Sequence, residues 1–274
     1  MSTVRIEDLG GIRTITLDRP ERRNALTPEL QDEVLGALLN AEGAGARVVV
    51  LAGAGEAFCA GLDLNVLQGM IGNSAEQQRV EAERTGRMFR ALWDCDLPTI
   101  AVVQGPAIAG GTGLATMCDF TLASPEARGG YTEARIGFVP ALVSAYLSLQ
   151  VGDKVARGLL LSARIFGPEE ALRLGLVSEL VPRERLGERA GELAAELMRN
   201  SPEALAASKR LLRAQHRQWL EKALELSMEA NAAGRLTADF REGVAAFLEK
   251  RTPRWVAEAQ AGSGDAPDAQ RRRL

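Results

Sequence analysis

Histidine is almost absent from this chain: His216 is the single one in 274 residues. Hydrolysis by Ser-His-Asp or Cys-His machinery would rest on that residue alone, and it lies in a helical stretch remote from any Ser or Cys signature. The same count excludes histidine-rich metal sites, and no metal is expected. Aromatic residues are also scarce, at 4%, too few for the stacking platforms that hold single-stranded nucleic acid. Basic and acidic residues nearly cancel, 33 against 36, for a formal charge of −3. No basic stripe faces a phosphate backbone, so no nucleic-acid partner is expected. Cys59, Cys95 and Cys118 are few, dispersed and odd in number, which reads as reduced small hydrophobes and not as a disulfide framework. No apolar run approaches membrane-spanning length and no basic-then-apolar secretory segment opens the chain. The expectation is a cytoplasmic protein with no membrane partner.

What is present is an ordinary globular composition, 46% hydrophobic and 25% charged, long enough for one large α/β unit with a sizeable core. Val4, Ile6, Ile12, Ile15 and Leu17 mark two opening strands around a Gly10-Gly11 turn. Thr27-Pro28 is an N-cap with proline at the first helical position, and Leu30, Val34, Leu38 and Ala41 supply an apolar helix face. The runs 47–52 (RVVVLA), 99–103 (TIAVV) and, more weakly, 120–123 (FTLA) are apolar on both faces, as buried parallel strands are. Beyond about residue 145 strand signals nearly stop, apart from a short candidate at 177–181. Helical periodicity then covers 153–161, 168–175, 183–199, 202–216, 219–232 and 237–250. The expected organisation is a core over 1–200, a helical region over 201–257, and a disordered Ala/Gly/Ser/Asp/Gln-rich tail over 258–274 that ends in three arginines.

Two glycine-rich segments carry the chemistry. One is Gly53-Ala54-Gly55-Glu56-Ala57-Phe58-Cys59-Ala60-Gly61-Leu62-Asp63-Leu64, after the first buried strand. The other is Gln104-Gly105-Pro106-Ala107-Ile108-Ala109-Gly110-Gly111-Thr112-Gly113-Leu114, after the second. Each leaves the carboxyl end of a predicted strand and leads to a helix start, where backbone N–H groups are free and ligands of α/β sheets collect. Two such loops can aim one N–H each at a single oxygen. The same pattern also fits plain tight turns with close helix–strand packing. Neither loop carries a P-loop or a dinucleotide fingerprint.

With further segments in order, the chain resembles the crotonase superfamily, the enoyl-CoA hydratase/isomerase family. These are Arg19-Pro20 with Asn24-Ala25-Leu26, Met117-Cys118-Asp119, residues 133–140 (EARIGFVP), residues 171–177 (ALRLGLV), Glu242-Gly243 and residues 247–251 (FLEKR). The resemblance implies an α/β spiral of ββα turns followed by a C-terminal helical trimerisation region, assembled as a homotrimer or a hexamer. It implies an acyl-CoA thioester substrate, with coenzyme A part of the substrate and no separate cofactor. The thioester carbonyl would sit between the backbone N–H groups of Leu62 and Gly110. Coenzyme A would lie along Arg22, Arg23, Ala60 and Leu62 to Asn65, thus including Asp63 and Leu64, with Gly110, Gly111 and Gly113 around the acyl group. Phe247 and Lys250 would reach the coenzyme A of a neighbouring subunit. For the basic residues, a solvated surface face is the competing reading.

Two-glutamate hydratases of this family place one glutamate three residues after the second oxyanion glycine, where this chain has Gly113, and the other where it has Glu133. Glu133 is therefore the expected acid/base, and Gly113 is expected to leave room for a branched acyl group or a second water. Asp63 is expected to cap a helix and Asp119 to anchor a strand. The segment from Thr132 to Ala141 resembles branched-chain enoyl-CoA hydratases; single-aspartate isomerases carry an acid where this chain has Ala141. The leading expectation is a 2-enoyl-CoA hydratase, ahead of a 3-enoyl to 2-enoyl isomerase and of a non-catalytic binding protein of the same fold. Acyl-chain selection is expected to fall to residues 66–90 and 138–148.

Overall fold

In the computed structural model, which describes residues 2–263, the opening strands β1 (Val4–Leu9) and β2 (Ile12–Leu17) pair antiparallel through the Gly10-Gly11 turn. Both glycines adopt positive φ there, 59° and 84°, a region that costs a side chain but not glycine. Helix α1 (Pro28–Leu39) follows, capped by Thr27, whose hydroxyl accepts from the Leu30 N–H. The predicted buried runs are strands β3 (Val48–Gly53), β4 (Thr99–Val103) and, further on, β6 (Phe120–Ala123). Between β3 and β4 lie α2 (Leu64–Met70) and the long α3 (Ala75–Asp94), opened by a Ser74/Gln77 capping box.

After β4 the chain makes β5 (Pro106–Ile108) and α4 (Gly110–Met117); after β6 it makes β7 (Arg128–Gly130). Each turn thus sends one strand to a large sheet and one to a small sheet. Then come α5 (Ala141–Ser162), α6 (Pro168–Arg173), β8 (Glu179–Leu180), α7 (Leu186–Met198), α8 (Pro202–Gly234), α9 (Ala238–Leu248) and α10 (Arg254–Ser263). The large sheet has the order β1-β2-β3-β4-β6-β8, parallel throughout except for β1, and β5 pairs parallel with β7. The main core joins the sheet and helices α1, α3, α4 and α5, and it takes in Leu220 and Leu224 of α8. Asp119 anchors β4 to the start of β6, its carboxylate accepting from the Thr99 N–H (2.7 Å) and hydroxyl (2.9 Å).

Several boundaries differ from the expectation. The two segments at 202–216 and 219–232 are one helix, α8, because Arg217 and Gln218 between them carry no breaker. The first half of α5 gave no periodic signal because its residues are apolar nearly all round, and Gly152, at φ 74°, kinks it into two pieces. Helix α10 carries the helical region past residue 257 to Ser263; residues 264–274 of the expected tail lie outside the described residues. No helix is long and apolar enough to cross a membrane, and no cluster of three His, Cys, Asp or Glu able to hold a metal occurs among the described residues.

Candidate active site

The two glycine-rich loops meet as a short parallel ribbon. Phe58 N–H donates to the Pro106 carbonyl (3.0 Å) and Ile108 N–H to the Cys59 carbonyl (2.9 Å). Gln104, buried, fixes the outer turn of the first loop by donating from Nε2 to the carbonyls of Gly53, Gly55 and Ala57. Asn24 does so from the other side, donating from Nδ2 to the Ala54 and Ala57 carbonyls at 2.9 and 2.8 Å. These are the physical roles of two residue types embedded in the resemblance: both satisfy carbonyls that a buried loop would otherwise leave orphaned.

The segment 23–26 runs along the inner edge of the first loop. Ala60 N–H donates to the Arg23 carbonyl (3.0 Å), Leu26 N–H to the Gly61 carbonyl (2.7 Å), and Asp63 N–H to the Leu26 carbonyl (3.0 Å). Leu26 therefore pairs with residue 62 in the parallel sense. In that register the N–H of Leu62 faces away from residue 26, and no protein acceptor takes it among the described residues. Gly110 occupies the first position of α4 and its N–H is likewise free among the described residues. Its direction is set by Ala109, held at φ 53° and ψ −121° while its own N–H donates to the Gly130 carbonyl at 2.6 Å. A non-glycine residue at such a dihedral stores of order 1–3 kcal/mol of strain. The two loops touch here: a β-carbon on Gly61 would lie 3.0 Å from the Ile108 carbonyl oxygen and 3.1 Å from the Ala109 methyl.

Glu133 reaches the same place through the small sheet. Strands β5 and β7 pair Ile108 with Gly130, and the Thr112 hydroxyl locks them, donating to the Ala107 carbonyl and accepting from the Gly130 N–H. Gly110 follows two residues after β5 and Glu133 three residues after β7, so a single strand pair sets both. A 3-10 turn, Glu133–Ile136, holds the glutamate, and α9 clamps that turn. A β-carbon on Gly137 would sit 2.2 Å from the Asp239 carbonyl oxygen, and one on Gly243 would sit 2.3 Å from the Ile136 carbonyl. Two segments of the resemblance, around Gly137 and Glu242-Gly243, are thus the two sides of one close backbone contact.

A cavity of about 490 Å³, within the range of small-molecule sites, opens over this arrangement. The structure brings Glu133, Leu62, Gly110, Ala60, Leu64, Arg23 and Phe247 to its wall. Glu133 is the only carboxylate lining it among the described residues. Its side chain is buried, Oε2 has no hydrogen-bond partner, and burial pushes its pKa up from 4.5 to about 7. Phe247 lines its own chain's cavity at 55% exposure, whereas the resemblance places it against a neighbour's coenzyme A.

The remaining candidates stand off the wall. Asp63 caps α2, accepting from the Asn65 N–H at 2.9 Å, and pairs with Arg19 at 3.2 Å, so its carboxylate is engaged behind the loop. Asn65, Arg22 and Lys250 are exposed and do not line the cavity. Gly111 and Gly113 are buried behind the wall. Gly113 does not leave the room expected of it: a β-carbon there would lie 2.6 Å from Val143 Cγ1 and 3.5 Å from Phe89. The volume that a second carboxylate would need is filled by Val143, a wall residue from α5. Leu67, Thr85 and Phe89, and every residue from Phe138 to Val143, line the cavity, in keeping with the expected acyl-selecting stretches. Asn231 and Arg235, also on the wall, gave no signal in the sequence. Four apart on a helix, they read as a solvated face.

The family is then independently evident. Residues 7–258 match the enoyl-CoA hydratase/isomerase profile. A Thermus thermophilus protein, provisionally named an enoyl-CoA hydratase, is 44% identical over 90% of this chain and 98% of its own length. A Clostridium acetobutylicum short-chain-enoyl-CoA hydratase is 32% identical over 92% and 96%. The crystal structure of a Xanthobacter autotrophicus Py2 enoyl-CoA hydratase/isomerase superposes with a TM-score of 0.85 at 30% identity, covering 97% of this chain and 99% of that one. A spiral of paired strands that brings the amide-bearing residues Leu62 and Gly110 and the buried Glu133 to one cavity wall, and relatives matched over nearly their whole length, lead to one assignment: this chain is an enzyme of the enoyl-CoA hydratase/isomerase family.

Proposed function

We propose that this enzyme adds water across the double bond of a 2-enoyl-CoA thioester. The observation that carries the reading is a buried carboxylate, Glu133, the only one among the described residues to line a cavity whose wall also includes the amide-bearing residues Leu62 and Gly110. In the proposed reaction the thioester carbonyl accepts from both N–H groups. Glu133, ionised, accepts a proton from a bound water as the water oxygen bonds to Cβ. The electron pair moves to the thioester oxygen, giving an enolate whose charge the two amides stabilise. The protonated Glu133 then delivers that proton to Cα and the carbonyl re-forms. Each such amide contributes about 2.7–4 kcal/mol to transition states of this type. The family also contains isomerases; Ala141 supplies no acid where single-aspartate isomerases carry theirs, so isomerisation here would use Glu133 as its single base.

Incubation with crotonyl-CoA, read by product mass, tests the assignment. A product heavier by one water supports hydration. A 3-enoyl-CoA converted to its 2-enoyl isomer at unchanged mass, with no hydration of crotonyl-CoA, replaces it with isomerisation. We also propose a homotrimer as the basic assembly, formed through α8 and its neighbours; α8 leaves Leu211, Leu212, Trp219 and Leu226 at least half exposed, more apolar surface than a solitary helix face needs. Light scattering after gel filtration should give a multiple of three chains, and a monomer or dimer would contradict it.

A further inference from the structure

The cavity wall holds a buried arginine that meets no acceptor among the described residues. Arg235, at the C-terminal end of α8, is 1% exposed and lines the cavity. Neither Nε nor Nη1 has a hydrogen-bond partner, and no ion pair involves the residue among the described residues. Its guanidinium sits 5.4 Å from the centre of the Phe138 ring, which gives it a face contact but no acceptor. Burial lowers its pKa to about 10, against the opposing pull of the Glu81 charge, with which it forms no ion pair. One helical turn earlier Asn231, 3% exposed, also lines the cavity with Oδ1 unpartnered. A buried charge without a partner is among the most unfavourable features a fold can keep. Arg23, Leu64 and Phe247 are the exposed part of the wall, whereas Arg235 and Asn231 are buried in it.

We propose that Arg235 receives a carboxylate at the far end of the acyl chain, so that the substrate is the monothioester of a dicarboxylic acid. The inference rests on the acyl-CoA reading given above and narrows it to a substrate class. The reasoning is geometric. A coenzyme A moiety enters from the exposed end, its acyl chain passes Glu133, and the chain terminus arrives at the buried end. A methyl terminus there would leave the guanidinium desolvated and unpaired; a carboxylate matches its planar fork and can be met by two parallel N–H donors. Asn231, on the same wall, can donate an amide N–H to the same group.

The test uses saturated thioesters, so that binding is separated from turnover. Succinyl-, glutaryl- and adipyl-CoA are titrated calorimetrically against methyl-ended acyl-CoA of the same carbon count. For the best-fitting length the wild-type enzyme should bind the carboxylate-ended thioester about 10²-fold more tightly. Arg235→Met should bring that ratio close to one, and Arg235→Lys should restore part of it. The ligand-free Tm of Arg235→Met should rise by several degrees, because an uncompensated charge is removed. Equal binding of both series by the wild-type enzyme overturns the terminal-acid assignment and leaves the acyl-CoA reading standing. Binding of neither series removes both. A lower Tm for Arg235→Met, with the ratio intact in that same variant, makes the arginine structural and also overturns the proposal.

Discussion

Glu133→Gln is expected to lower kcat/KM for hydration by about 10²–10⁴-fold, the usual worth of a positioned acid–base group, while making the fold less sensitive to pH. The two effects share one cause. Burial raises the Glu133 pKa from 4.5 to about 7, so between those values the folded chain holds a proton that the unfolded chain has released. Stability therefore falls as pH rises through that window. A shift of this size corresponds to about 3 kcal/mol, fully lost once pH exceeds the folded-state pKa. Glutamine has nearly the same shape and no charge, so the variant should lack that slope. Urea denaturation of both proteins at pH 5 and pH 8 reads the difference directly. Parallel stability changes between the two pH values would mean that the carboxylate is solvated. The wild-type pH profile supplies a second readout. If the ionised form draws the proton from water, kcat/KM should climb with pH through an inflection near 7, since that parameter reports the free enzyme. A profile flat from pH 5 to 8 would remove Glu133 from the role.

How much of this was legible beforehand depends on whether the cause is local or distant. The opening hairpin, α1 with its Thr27 cap, and strands β3, β4 and β6 follow from turn residues and apolar runs that any reader of the chain can see. The short β5 and β7 were not legible as strands. Three residues each, rich in glycine and proline, they are strands only because they pair with one another. Yet they set Gly110 and Glu133 in register. The candidate site residues came from ordered motifs, and the structure supplies reasons for the motif residues around them: Asn24 and Gln104 tie down carbonyls, and Gly137 and Gly243 admit a backbone contact. Gly113 was misread as open space because the side chain filling it, Val143, is thirty residues away and belongs to a helix half with no periodic signal. Arg235 and Asn231 were invisible for a related reason. Only the packing of α8 against the rest of the chain turns a polar helical pair into a buried one.

Gly111→Ala should be among the most damaging single methyl groups that can be added near the site. Its β-carbon would stand 2.2 Å from the Cys59 carbonyl oxygen and 2.9 Å from both the carbonyl carbon and the Cβ of Cys59. The nearest obstacles are backbone, already committed to the parallel ribbon between the loops, so no side chain can rotate aside. Relief requires the segments 59–62 and 109–111 to separate, and these carry the amides of Leu62 and Gly110. Overpacking of a rigid contact costs about 1–3 kcal/mol and more when backbone must move. A loss of about 3 kcal/mol or more is expected here, a fall in Tm on the order of 10 °C for a chain of this size. Because a displacement of about 1 Å in a positioned group can cost about 10²-fold in rate, the folded fraction should also show a lower kcat. Gly158→Ala is the matched control. Gly158 is exposed in α5 and a β-carbon there meets nothing within 4 Å, so alanine should stabilise the helix by about 0.5–1 kcal/mol. If Gly111→Ala melts and turns over like wild type, the two loops are not in the rigid contact that aligns their amides, and the oxyanion arrangement must be built differently. If it melts early but keeps full kcat, the amides are held by something other than that contact, and the strained Ala109 with its bond to Gly130 is where the search should move.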